Sequence, residues 1–429
     1  MSERRRIAVT GLSVNTPLGD TTDAFLQNLL AGRSAITRWR FLQDARVYSK
    51  VGADLSGYDV PGRIAGLRET LPEPLHRRLR MLCSRAPWST RLSMLLAIDA
   101  WRDAGLTDAA IDPTRICSIV AGHNINDGYT FQQCKEFDEE PDFIDGLFAL
   151  HSLDTDHAGS VSEVLGLCGP VYTMGGACAS GNLTLRAAVD EIQHHDMDMA
   201  VVVGAALDFS PAGLHGMALM GAITHQGFND APEQASRPYD RRREGFVPAH
   251  GGACLVLEDW EHARRRGARV HAELLGVEAG GDATHLPQPS VEGQARVMRR
   301  VMQRAGVRPE EVDFVGAHAT STPLGDVTEL RSIREVFGPH AYRLRINAIK
   351  SMIGHTCWAA PLVETVGAIL QLKAGKLHPS INIEDPDPEL DLDVCRGGAV
   401  DYPMQIIMKN SFGFGGINCV SLLRRVEEV

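Results

Sequence analysis

The 429-residue chain has no run of 18 apolar residues, no low-complexity segment and no flexible linker. A helix that crosses a bilayer needs about 20 such residues, so no membrane partner is expected. The start, Met-Ser-Glu-Arg-Arg-Arg-Ile-Ala-Val-Thr, has no apolar signal region, which points to a cytoplasmic protein. Nine cysteines occur without CxxC pairs or metal-type Cys/His spacing. An odd, scattered set excludes a disulfide framework and suits reduced thiols. Positive charge is also short: 43 Lys and Arg against 54 Asp and Glu leave a formal charge of −11, which argues against nucleic acid as the main partner. An acidic partner would need a local basic patch, and Arg77, Arg78 and the Arg241-Arg242-Arg243 run are the candidates near a pocket mouth. Otherwise the composition, 44% hydrophobic and 23% charged, is that of an ordinary globular protein.

The pattern of apolar residues alternates between short buried strands and amphipathic helices. Strands are predicted at 7–10, 118–121, 171–173, 199–205, 253–257, 270–277, 313–317, 344–348, 405–409 and 418–423. Helices are predicted at 23–30, 89–105, after 178, and near 291–305, 326–336 and 358–374. Ser89 is read as the start of the second of these and Gly105 as its stop. Residues 34–88, broken by Pro61, Pro72, Pro74 and Pro87, read as an inserted loop region with short helices. Residues 123–160, rich in His, Asp and aromatics, read as the cap of a pocket or interface. This rhythm implies an α/β fold with buried sheets. It runs once before about residue 260 and again after it, so two similar halves, 1–258 and 259–429, are expected, although no residue-level repeat is visible.

The chain is organised around Gly-Pro-Val-Tyr-Thr-Met-Gly-Gly-Ala-Cys-Ala-Ser-Gly at 169–181. A strand enters a sharp turn and a helix leaves it, which places Cys178 at a helix N-terminus. The helix dipole and unpaired N–H groups there favour the thiolate. Small neighbours let a substrate carbonyl approach backbone donors, as an oxyanion hole requires. The plainer alternative is a buried structural cysteine in a Gly/Ala-packed turn.

Three strand-exit loops of the second half offer partners. One carries His318, one carries Lys350 and His355, and one is the glycine-dense turn Asn410-Ser411-Phe412-Gly413-Phe414-Gly415-Gly416. Two neutral imidazoles converging on one spot can donate hydrogen bonds to a carbonyl that becomes an enolate. Each residue alone has a duller reading: structural histidines, an exposed lysine, a simple β-turn.

Taken in order, these segments resemble the β-ketoacyl-acyl carrier protein synthases of the thiolase superfamily. The resemblance spans the chain, from Val9-Thr10-Gly11 and Thr16-Pro17-Leu18-Gly19 through Arg237-Pro238-Tyr239-Asp240 to the Cys-His-Lys-His-Phe set. It implies a five-layer αβαβα thiolase-like fold, a homodimer, and an acyl carrier protein whose phosphopantetheine brings the substrates, with no metal or redox cofactor. It also implies the roles. Cys178 accepts the acyl chain, and N–H groups of Cys178 and Phe414 form the oxyanion hole. His318 and His355 bind the malonyl thioester carbonyl during decarboxylation. Lys350 is structural and electrostatic with Glu364 as its network partner, and Phe414 gates the pocket with Asp282 moving beside it. Ala319, Trp358, Pro361, Pro248 and His250 depart from the family pattern and suggest a polyketide-type rather than a housekeeping fatty-acid enzyme. Two alternatives remain open: a malonyl-carrier decarboxylase feeding a β-branching pathway, and a non-catalytic chain-length partner subunit.

Overall fold

The computed structural model describes residues 5–42, 44 and 46–427. Residues 1–4, part of the start read as lacking a signal region, lie outside the described residues. The first five long strands are β1 (Ile7–Asn15), β2 (Ile116–Ala121), β3 (Val171–Met174), β4 (Met199–Gly204) and β5 (Gly252–Asp259). They align in the order β3-β2-β4-β5-β1. The next five are β6 (Ala272–Gly281), β7 (Phe314–Gly316), β8 (Arg345–Asn347), β9 (Ile406–Gly413) and β10 (Ile417–Arg424), and their order is β8-β7-β9-β10-β6.

The two orders are the same permutation, and the directions agree as well. In each set the first three strands in space run parallel, and the remaining neighbours are antiparallel. The repeat invisible at residue level is therefore plain in topology, because sheet order depends on apolar period and crossover length and not on residue identity. A three-residue pairing of Ile7–Val9 with Ala272–Leu274 joins the sets into one ten-stranded sheet.

Helices α1 (Trp88–Asp103) and α2 (Thr155–Leu165) cover the outside of the first set, and α4 (Val291–Ala305) and α5 (Pro323–Phe337) that of the second, with α3 (Ser180–His194) and α6 (Ala360–Ala374) between the sets. This is the expected five-layer arrangement. The largest cores are a central one joining both sets through Leu185, Ile192, Leu362 and Ile369, and one outer core on each side. β4 is buried along its whole length, as its unbroken Val-rich run requires. The inserted region holds a small hairpin of Thr37–Arg38 with Val51–Gly52 and helices Val60–Gly66 and Glu73–Cys83.

The start of α1 differs from the expectation. Pro87 occupies the cap, and the Ser89 hydroxyl donates to the Ala206 carbonyl instead of capping. The Arg241–Arg243 run is also not a free docking patch. Arg241, Arg242 and Arg243 pair with Asp385, Glu384 and Asp387, and Arg78 donates to the carbonyls of Glu163 and Val164.

Where β1 crosses α1, Gly11 is required by contact: a Cβ there would lie 2.3 Å from the Ala100 carbonyl oxygen. Gly11→Ala should destabilise the fold by about 1–3 kcal/mol, the usual overpacking cost, seen as a lower urea midpoint at unchanged slope.

Candidate active site

The first half of the site is the elbow. β3 ends at Met174, and the backbone turns through Gly175, Gly176 and a 3-10 turn, Ala177–Ala179, before entering α3. Ala177 has φ of 47°, a left-handed conformation that a residue with a Cβ rarely adopts. Strain of this kind persists where surrounding contacts dictate it. The Ser180 hydroxyl provides one such contact, accepting from Gly176 N at 2.8 Å and donating to Ala177 O at 2.7 Å. Asn182, in the first turn of α3, donates to the carbonyls of Lys409 and Cys419, so the elbow is tied to β9 and β10.

That tie brings the glycine turn to the thiol. Gly413 abuts the elbow so closely that a Cβ would sit 2.7 Å from Gly176 O and 3.3 Å from Cys178 N. The backbone N–H groups of Cys178 and Phe414 both reach the Cys178 sulfur. Both groups therefore favour the thiolate. Burial nevertheless dominates the thiol and pushes it up to about 12, against the lowering effects of Lys350 and the two N–H groups. The dipole argument from sequence had the local sign right, but it ignored desolvation by the central layer.

His318 and His355 approach from the second half, their ring centroids 5.7 Å apart and their planes near perpendicular at 85°. His355 N donates to Val247 O, and Ala249 N donates to His355 O, so the backbone is clamped to the 247–249 segment. Its Nδ1 accepts from Cys357 N at 3.1 Å. The ring proton therefore resides on Nε2, which has no partner among the described residues. Burial first, and then the Lys350 charge, hold both imidazoles well below the ordinary histidine range. Both are neutral at physiological pH.

Lys350 is 1% exposed, not a surface lysine. Its ammonium pairs with Glu364 and donates to the His318 carbonyl at 2.5 Å. Glu329 accepts from the N–H groups of His318 and Ala319, each at 2.9 Å, and from Asn410. The His318 loop is thus held through its backbone from both sides. Sequence reasoning missed Glu329 and also Lys409, which pairs with Glu364 Oε2 at 2.6 Å. The available signal for Lys409 was a lysine inside the apolar strand Ile-Ile-Met-Lys.

Cys178, His318, His355, Asp282, Phe246, Phe412 and Phe414 line one cavity of about 250 Å³. Asp282 accepts from Asn418 at 2.7 Å and its N–H donates to Gly416 O, which couples it to the Phe414 turn. Lys350 and Glu364 stand behind the cavity wall. Met220, Leu286 and Leu324, all exposed, form an apolar rim, and none of Arg77, Arg78 or Arg241–Arg243 lines the cavity.

The departures from the family pattern find places too. Ala319 has φ of 31°, a conformation that explains why glycine is usual there. Pro361 lies in the first turn of α6, where its missing N–H costs nothing. Pro248 bridges to His355 through its neighbours. His250 is enclosed by Trp39, Phe41, Trp88 and Phe209, and accepts from Leu55 N. Trp358 lies over His123 at 4.1 Å between centroids and does not line the cavity.

Fold and site together define an α/β protein of the thiolase-like class with a thiol and two imidazoles in one pocket. Residues 4–263 match the family described as Beta-ketoacyl synthase, N-terminal domain, and 271–384 match Beta-ketoacyl synthase, C-terminal domain. The chain is 34% identical over 430 residues to 3-oxoacyl-(acyl-carrier-protein) synthase 2 of Coxiella burnetii, covering 99% of each. It is 30% identical over 422 residues to polyketide biosynthesis malonyl-ACP decarboxylase PksF of Bacillus subtilis, covering 98% of this chain and 97% of that one. A solved β-ketoacyl synthase from Burkholderia phymatum superimposes with a TM-score of 0.86 at 28% identity, covering 99% of this chain and 100% of that one. A chain of AntDE:AntF, a type II PKS acyl-carrier protein in complex with its ketosynthase, gives 0.84 at 27%, with the same coverage. The chain belongs to the β-ketoacyl synthase family and is an enzyme of the acyltransferase type.

Two outcomes follow. Alkylation of Cys178 by iodoacetamide should climb steadily from pH 6 to 10 without a plateau, since the thiol, raised to about 12, ionises only above that range. Glu364→Gln leaves two buried ammonium groups without their shared carboxylate and should cost about 3–5 kcal/mol of stability in urea denaturation.

Proposed function

We propose that the enzyme joins an acyl group held on Cys178 to a malonyl thioester carried by an acyl carrier protein, releasing CO2 and a 3-ketoacyl-carrier thioester. The observation that carries this reading is the meeting of one thiol, two neutral imidazoles and two backbone donors in a single cavity. In the first half-reaction the Cys178 thiolate attacks the acyl thioester carbonyl. The N–H groups of Cys178 and Phe414 hold the oxyanion, and the carrier's pantetheine thiol leaves with the proton that Cys178 gave up.

The malonyl thioester then directs its carbonyl oxygen at His355 Nε2–H and at His318. The bond to its carboxylate breaks, CO2 departs, and the electron pair passes into an enolate whose oxygen the imidazoles stabilise. The enolate carbon attacks the acyl-Cys178 carbonyl, and the thiolate leaves. Neutral rings suit this step, because each keeps a proton to donate without transferring it. Lys350, fixed by Glu364, orients the His318 loop and biases the field toward the thiolate. Phe414 gates the cavity, and Asp282 moves with its turn.

The scheme uses no metal or redox group of the protein's own, and the pantetheine arm arrives on the carrier. The proposed setting is cytoplasmic; among the described residues no helix is long and apolar enough to cross a membrane. A homodimer is part of the same reading. β3 is an edge strand, and Phe137, Phe143, Leu147, Leu150 and Leu153 are exposed in the 127–165 region that follows β2.

One observation favours a second reading, malonyl-carrier decarboxylation alone. The cavity that holds Cys178 has a volume of about 250 Å³, small for a long acyl chain beside a pantetheine arm. The similarity to PksF agrees with it. The retained thiol counts against the non-catalytic partner subunit.

Intact-mass analysis after mixing with acyl- and malonyl-carrier proteins separates these readings. Condensation gives an acyl adduct on Cys178 and a carrier product two carbons longer. Acetyl-carrier with no adduct gives the decarboxylase. Cys178→Ala should abolish the adduct and leave CO2 release, whereas His355→Ala should slow CO2 release about 100-fold or more. Unchanged CO2 release in His355→Ala would remove the imidazoles from the mechanism.

A further inference from the structure

One buried lysine takes no part in that scheme; burial pulls Lys409 below the ordinary lysine range, and Glu364 works against that pull. Lys409 lies in β9 on the face that also carries Ile407 into the central core, a position where a strand ordinarily places an apolar side chain. The fold makes room for it deliberately. Its register partner on β7 is Gly316, where a Cβ would come within 3.1 Å of the Lys409 Cδ atom. The ammonium is 1% exposed and meets acceptors: Glu364 Oε2 at 2.6 Å and the Asn410 carbonyl. Glu364 in turn gives its other oxygen to Lys350, whose ammonium holds the His318 carbonyl.

Around these groups the charges balance. Lys350 and Lys409 are positive and Glu364 and Glu329 are negative, all essentially excluded from water. The titratable side chains facing this cluster are Cys178, His318 and His355, with Cys357 beside the thiol, and, from the opposite side, His378, which shares a small cavity with Glu364 and Lys409 and which burial pushes down to about 4. A neutral cluster does not oppose negative charge on sulfur or enolate oxygen. Without Lys409 it would carry a net negative charge that acts on the thiol through Glu364, in a medium where such charge is poorly screened.

We propose that Lys409 is a positioning residue of this site: a fixed second ammonium that shares Glu364 with Lys350, leaving Lys350 free to hold the His318 loop and the cluster neutral toward the reacting atoms. Asn410, next in sequence, extends the same coupling, since its side chain donates to Glu329 and its main chain leads into the Phe414 turn. Both donor sets, the imidazoles and the turn N–H, are thus referred to one buried charge pair. The proposal deepens the condensation reading and rests on it for the enolate, but its effect on the thiol stands apart from any substrate.

The test is Lys409→Met in the full-length enzyme, compared with wild type by the pH profile of iodoacetamide alkylation at Cys178 and by CO2 release from malonyl-carrier protein. Alkylation at a fixed pH near 8 should slow about tenfold, as expected when the thiol becomes about one pH unit harder to ionise, and its profile should move to higher pH. In Lys409→Ala, which vacates the ammonium's place, ammonium or methylammonium should restore part of the loss, and tetramethylammonium at equal ionic strength should not. Should the methionine variant fail to fold, Lys409→Gln, whose amide can still donate to Glu364 and Asn410, carries the same expectations. A folded variant with an unmoved alkylation profile overturns the proposal, as does restoration by tetramethylammonium as effective as by ammonium. Wild-type enzyme that alkylates normally but releases no CO2 refutes the condensation reading instead, and the alkylation arm still decides the role of Lys409.

Discussion

Everything in the site leans on one carboxylate, Glu364, buried in the first turns of α6 and shared by two ammonium groups. A charge taken out of water is tolerated only when others satisfy it, and removal of any member leaves the rest exposed to a low-dielectric interior. That interdependence fixes geometry. Lys350 holds the His318 carbonyl, Glu329 holds its N–H, and Lys409 anchors β9 beside the Phe414 turn. The imidazoles are therefore oriented by backbone contacts, and their N–H edges remain available to the cavity.

The surrounding fold explains why such a cluster can exist. Duplication of one five-stranded unit places α3 and α6 back to back between two strand sets. Each of these helices begins with a 3-10 turn preceded or opened by a strained residue, Ala177 at φ 47° and Cys357 at φ 49°. The first turn presents the thiol, and the second forms the floor behind His355, where Cys357 N fixes the tautomer. Similar backbone devices thus play different chemical parts, which fits the general rule that function is grafted onto repeated architecture.

Desolvation has two consequences that oppose each other. It keeps both histidines neutral and so able to donate, yet it also raises the thiol to about 12. The nucleophile must gain from nearby positive charge and N–H donors what it loses by burial. This is the physical reason for a buried lysine, Lys350, whose charge acts on a cysteine it does not touch through a hydrogen bond. The apolar rim of Met220, Leu286 and Leu324 further excludes water around the cavity mouth.

Much of this was legible in the residues alone. Helix 291–305, the buried run of β4 and the Gly-Gly-Ala-Cys elbow follow from apolar period, β-branching and small-residue turns, all local properties. The glycine turn and the Lys350 and His355 loop likewise declared themselves by composition, whereas Glu364 as the partner of Lys350 followed only from the family resemblance. Lys409 and Glu329 did not, because a lysine in a strand or a glutamate in a helix is ordinarily solvated, and only the layers packed over them make them internal. The arginine run at 241–243 was misleading for the converse reason: its acidic partners lie some 140 residues away in sequence. Local periodicity determines which segments become strands, helices and turns. Which charges meet, which are stripped of water and which imidazole nitrogen keeps its proton depend on distant segments arriving at one point, and that was decided only by tertiary structure.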